Sequence, residues 1–185
     1  MPRPAGGCTS LKPSRIIIVL LVTVVAFLML AAPSLAAVKL NKYERQLVAQ
    51  INKQRTKRGL AKLRVNARLV TAARAHSTDM GVRKYFDHNS PEGERWSSRI
   101  VRYGYKRKGC RYWRAGENIY YGAGLYSSPY LVVDSWMHSK RHRAVILTKV
   151  FRDIGVGAVK TEDGYAGIDG VVWFFTLDLG RRISR

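Results

Sequence analysis

Residues 153–177 read DIGVGAVKTEDGYAGIDGVVWFFTL, and this stretch decides the class of the fold. Two short runs, DIGVGAV (153–159) and VVWFFTL (171–177), are apolar and rich in β-branched and aromatic residues. Such residues suit a pleated, largely buried surface. The turn-rich KTEDGYAGIDG between them predicts an antiparallel hairpin connection. Everything with helical periodicity lies upstream. Helices first and strands last predict an α+β domain with helices packed against an antiparallel sheet.

LNKYERQLVAQINKQRTKRGL (40–60) predicts the first helix, with Asn41 as cap, Glu44 at the capping-box position and Gly59 in the C-terminal turn. Tyr43, Leu47 and Ile51 recur every four residues as its inward stripe. NARLVTAARAHSTDMGVRKY (66–85) predicts a second helix, with Leu69, Ala72, Ala73, His76 and Met80 on one face. The alanines imply close approach of a neighbouring element. Between about 86 and 127 turn residues cluster, and only SSRIVRYG (97–104) suits a short helix. SSPYLVVDSWMHSKRHRAVIL (127–147) predicts a third continuous helix, with Ser128 as N-cap, Pro129 in the first turn and Leu131, Val132 and Trp136 inside. The chain carries no repeat and no low-complexity tract.

The N-terminus carries Arg3, Lys12 and Arg15, then the uncharged IIIVLLVTVVAFLMLAA (16–32) and PSLAA with small residues at Ser34 and Ala36. Residues 1–36 therefore read as a signal peptide, with an uncleaved anchor through residues 16–32 as the alternative. In both cases residues 37–185 are expected outside the membrane, as one domain. The chain has a net charge of +21, which falls to +18 without Arg3, Lys12 and Arg15, because no acidic residue precedes Glu44. An exported surface of that sign attracts anionic wall polymers and lipid headgroups in a salt-dependent way. No aromatic-interleaved basic motif marks a nucleic-acid site. Loss of Cys8 with the signal would leave Cys110 without an internal disulfide partner, and Cys110 reads as a small apolar filler.

Of the four histidines, His76 lies on an apolar helix stripe and reads as a hydrogen-bonded core residue. His138 reads as exposed, with no acidic neighbour. His88 in FDHNSPEG and His142 in KRHRAVIL sit at element ends, where sites are commonly built on a rigid scaffold. Glu117 stands in RAGENI (114–119) among small and apolar residues. No metalloprotease HExxH, nucleophile elbow, CxxC pair or phosphate-binding loop is present.

INKQRTKRGLAKLRVNARLVTAARAHSTDM, YFDHNSPEG, GENIYYG, VVDSWMHSKRHRAVIL and FRDIGVGAV follow one another in order. In this series residues 41–178 resemble the CAP superfamily of cysteine-rich secretory, antigen 5 and pathogenesis-related proteins, closest to its bacterial SCP-like branch. The resemblance implies an α-β-α sandwich with a central antiparallel sheet, and a cleft holding two histidines and two acids. By motif, the histidines are His88 and His142 and the first acid is Glu117. The second acid falls on Ser139, so mechanisms that need paired carboxylates are in doubt. Two imidazoles favour zinc over calcium or magnesium, with Glu117 ligating or orienting a ring. The alternative is a buried network that ties the three residues together. The resemblance implies a non-enzymatic module that binds lipid, polymer or protein ligands. A hydrolase using Ser90 or Ser139 with a histidine is the competing expectation.

Overall fold

The computed structural model describes residues 38–185; the expected signal segment, residues 1–36, lies outside them. The described residues form helices α1 (Lys42–Thr56), α2 (Ala67–Arg83), α3 (Trp96–Arg102), α4 (Pro129–His138) and α5 (Lys140–Ile146). The strands are β1 (Arg64–Val65), β2 (Cys110–Gly122), β3 (Asp153–Thr161) and β4 (Val172–Ser184). They make one sheet in the order β1-β3-β4-β2. The β3–β4 and β2–β4 pairings are antiparallel, and only the two-residue β1 runs parallel to β3. Among the described residues no helix is long and apolar enough to cross a membrane.

The helices sit where their apolar stripes can be buried. Asn41 caps α1 through a complete capping box with Glu44, whose carboxylate also receives Arg74 at 2.6 and 2.7 Å. Leu47 and Ile51 of α1 pack with Val132, Val133 and Trp136 of α4 and with Ile154, Val156, Phe175, Leu177 and Leu179 on one face of the sheet. The opposite face receives α2. There Gly155 and Gly157 are required: a Cβ on either would stand 2.1 or 2.4 Å from the α2 backbone at Leu69 or Ala73. The small residues of both partners let helix and sheet backbones touch, as Ala72 and Ala73 led one to expect. The α-β-α sandwich is thus observed, with a predominantly antiparallel central sheet.

Three expectations need correction. Residues 110–122, read as part of a turn-rich segment, form a thirteen-residue strand paired with β4. The third helix is broken at Ser139, whose extended backbone (φ −82°, ψ 121°) separates α4 from α5. Cys110 is a half-buried residue at the start of β2, its thiol 3.6 Å from the Lys106 carbonyl, and fills no core position. Arg55 closes the C-terminal end of α5. Fully buried, its guanidinium donates to the carbonyls of Ala61, Ile146, Thr148 and Phe151, which satisfies the open end of α5.

Candidate functional site

Glu117 lies on β2 at the free edge of the sheet, its side chain 1% exposed. It is no loop acid. A buried carboxylate must be paired or hydrogen-bonded, and both Glu117 oxygens are engaged. Oε1 meets His88 Nδ1 at 2.8 Å, and Oε2 accepts from Arg99 of α3, itself only 4% exposed. Arg99 also donates to the His88 carbonyl at 3.1 Å, so one guanidinium holds the acid and the loop that carries the histidine. The hydrogen bond to Glu117 raises the pKa of His88 against its partial burial. It also fixes which ring nitrogen faces inward, leaving Nε2 free.

His142 reaches the same neighbourhood from α5. Its carbonyl accepts from Asn118 Nδ2 at 3.0 Å, and Trp136 Nε1 donates to the Ile119 carbonyl at 3.1 Å, which together tie α4 and α5 to β2. Burial, and then the charge of His88, lower the pKa of His142. Beside them a cleft of about 580 Å³ is lined by His88, Asn89, Arg95, Trp96, Glu117 and Val145. Of the three expected residues, His88 and Glu117 are joined by a hydrogen bond, while His142 is tied to the strand beside Glu117 through its backbone carbonyl.

The other candidates fall elsewhere. Ser90 accepts from the Glu94 backbone and lines a separate cavity of about 230 Å³ beside His76, Glu92 and Glu94. Ser139 is the hinge between α4 and α5. Among the described residues neither hydroxyl is hydrogen-bonded to a histidine. His76 is buried as expected, 2.9 Å from the Asp87 carbonyl, and burial lowers its pKa to about 4. His138 is exposed, but Asp134 one turn back lies 3.3 Å from its ring, contrary to the expectation of no acidic neighbour.

Sequence reasoning missed two members of the site, Arg99 and Asp178. Register places Asp178 of β4 directly opposite Glu117, and directly opposite Gly155 on its other side. Paired residues share a face of the sheet, and this face is the one covered by α2. Asp178 is fully buried, and neither oxygen receives a donor. Burial first, and the Glu117 charge second, push its pKa well up. As the neutral acid it can donate to Glu117, the one arrangement that satisfies both groups. A second carboxyl thus stands beside Glu117, on the last strand and not at the Ser139 position.

A family profile described as "CAP: Cysteine-rich secretory protein family" matches residues 48–179. The chain belongs to the CAP family. It is 39% identical over 132 residues to the uncharacterized protein YkwD of Bacillus subtilis, a match that covers 71% of this chain and 46% of that protein. The chain thus spans less than half of that relative's length. Among solved structures, the CAP fold seen here matches an outer surface protein from Borrelia burgdorferi (TM-score 0.62, 21% identity, 78% of this chain and 96% of that one). It also matches an extracellular SCP-domain protein from Bacillus anthracis (TM-score 0.56, 24% identity, 80% of this chain and 45% of that one).

Among the described residues no group of three or more His, Cys, Asp or Glu is arranged to hold a metal ion. Both Glu117 oxygens are already engaged by His88 and Arg99, which leaves the His88 and His142 rings as the candidate donors. A resident zinc ion takes three or four protein ligands, and such an ion does not fit.

Proposed function

We propose that this CAP domain is a non-enzymatic binding module that works outside the cell, held to an anionic surface of the envelope by its charge. The single observation behind this reading is the commitment of Glu117. With one oxygen on Arg99 and the other on His88, it is held as the structural partner of both. The groups left facing the cleft are cationic, polar and aromatic: Arg95, His88, Asn89 and Trp96. They suit an anionic ligand group, as does the net charge of +18 beyond the N-terminal segment. The outer-surface and extracellular descriptions of the two structural neighbours favour the same setting.

Sedimentation with cell-wall fragments at low and high ionic strength tests this. Retention should fall steeply as salt rises, because attraction between exposed charges is screened within about 10 Å at 0.1 M. Salt-independent retention removes the electrostatic part. A peptide-library assay separates binding from proteolysis: cleavage abolished by His142→Ala would replace the present reading with a hydrolase.

A second, weaker reading keeps zinc as a loosely held ion on two imidazoles. It is favoured by the free Nε2 of His88 and by the lowered pKa of His142, which keeps that ring neutral and able to ligate. Titration with zinc should distinguish the native domain from a His88→Ala/His142→Ala double variant, and identical profiles end it.

A further inference from the structure

We infer that the groove formed by Tyr112, Arg152 and Arg181, with Arg114 beside it, holds a phosphate-bearing polymer of the cell envelope. The inference rests on the proposed surface attachment and names the face that makes it and the chemistry of its ligand. The β2–β4 register sets Arg114 directly opposite Arg181. Like charges directly opposite one another weaken a sheet. The arginines paired with acids among the described residues are Arg74, Arg83, Arg99 and Arg102, and none of them stands here. The repulsion between Arg114 and Arg181 is relieved when an anion settles against them.

The groove lies where the helices stop covering the sheet. Leu177 and Leu179 of β4 belong to the core under α1 and α4. Alternation puts Arg181 and Ile183 on that same face, with Arg114 and Tyr112 as their partners on β2. The loop before β3 makes the other wall. There the Arg152 amide donates to the Gly180 carbonyl at 2.9 Å, and Val150 is exposed. Tyr112, Val150, Arg152, Arg181 and Ile183 together line a groove of about 260 Å³. Arg152 Nη1 donates to the carbonyls of Lys149 and Phe151, which fixes the guanidinium without neutralising it.

The charge around the groove is of one sign. Residues 95–116, 140–152 and 179–185 contain no Asp or Glu, and they carry nearly half of the chain's lysines and arginines. The acids nearest in register lie on the other face of the sheet. Asp153 pairs with Gly180 there and receives the Tyr105 hydroxyl at 2.7 Å. Glu117 and Asp178 are buried under α2. On that side too, Glu92 and Glu94 are held by Arg83 and Arg102, and Asp87 accepts from the Asn89 amide at 2.7 Å. The exposed Glu162, Asp163 and Asp169 belong to the β3–β4 connection, at the opposite end of these strands. A concave groove admits a chain and not a flat bilayer. Three guanidiniums approach from β2, β4 and the loop before β3. Phosphate oxygens accept such forks from several sides, whereas a carboxylate offers two oxygens in one plane. Tyr112, Val150 and Ile183 supply an apolar floor for the links between phosphates.

The test is sedimentation with wall fragments, either intact or stripped of phosphodiester polymers by hydrofluoric acid. The wild-type protein is compared with Arg114→Gln/Arg181→Gln and with Lys39→Gln/Lys42→Gln, which removes two exposed cations at the N-terminal end of α1. At about 0.1 M salt the groove variant should lose on the order of tenfold in retention on intact fragments, and the control much less. The Tm of the groove variant should match or exceed that of the wild type, because a like-charge pair is gone. Equal retention of the two variants, or undiminished retention of the wild type on stripped fragments, overturns the groove. Competition by polyglutamate as strong as that by inorganic polyphosphate overturns the phosphate and assigns carboxylates. Tighter binding to duplex DNA than to the fragments reassigns the groove to nucleic acid. Salt-sensitive retention shared by both variants removes the groove alone, whereas a wild type whose retention ignores salt removes the attachment reading and the groove with it.

Discussion

His88 and Asp178, which flank Glu117, both have raised pKa values, the first held in its charged form and the second in its neutral form. His88 has its pKa raised by Glu117, so the pair's stabilisation is complete below the ordinary value near 6.5 and is lost as pH rises through the raised value. Glu117→Gln should return the His88 titration, followed by ring-proton NMR, toward the ordinary value. It also leaves Arg99 buried without its counter-charge, at a cost of roughly 3 kcal/mol in urea unfolding. A variant with the native midpoint would mean that Arg99 has other partners. Asp178 runs the other way. Its folded pKa lies above the unfolded one, so its ionisation erodes stability as pH climbs from about 4 toward the raised value. Asp178→Asn keeps the donor to Glu117 and removes the ionisable group. Stability at pH 7 should rise relative to wild type, and the difference should shrink on acidification. Equal stabilities at all pH values would refute a neutral Asp178. His76, with its pKa near 4, gives the acid limb of the wild-type curve, where stability falls between about pH 6.5 and 4.

At the scale of elements, α2 against β3 is the contact with least tolerance. Gly157 admits the α2 backbone at Ala73, and Gly157→Ala should cost about 3 kcal/mol, near the upper end of ordinary overpacking. Thermal unfolding decides it: a Tm within a degree of wild type would mean that the helix can retreat. The elements also differ in how openly the sequence displays them. Helices α1 and α2 are legible because the cap at Asn41 and the stripe Leu47–Ile51 are local signals. Strand β2 is not. Arg111, Arg114, Gly116, Glu117, Asn118 and Gly122 interrupt any alternation, and the segment becomes a strand because β4 pairs with it from Cys110 to Gly122. The break at Ser139 is equally hidden, since the helical pattern runs through it. It is imposed by the need to bring the His142 carbonyl to Asn118 and the end of α5 to Arg55.

For the whole molecule, the proposed attachment would take its range and salt dependence from the excess of basic residues. His88, His142 and Glu117 were all readable as candidates by motif, whereas RAGENI alone left Glu117 undecided between a loop acid and a buried one. Their grouping needed the chain to close on itself. The sequence by itself determined the α+β class, the helix caps, the charge and the motifs of the family, all of which are written in residues near one another or in composition. Only the tertiary structure decided that Glu117 is locked by Arg99 and His88, and that Asp178 faces it. Those contacts join α3, β2, β4 and the loop after α2, and burial together is what turns separate acids into one coupled pair.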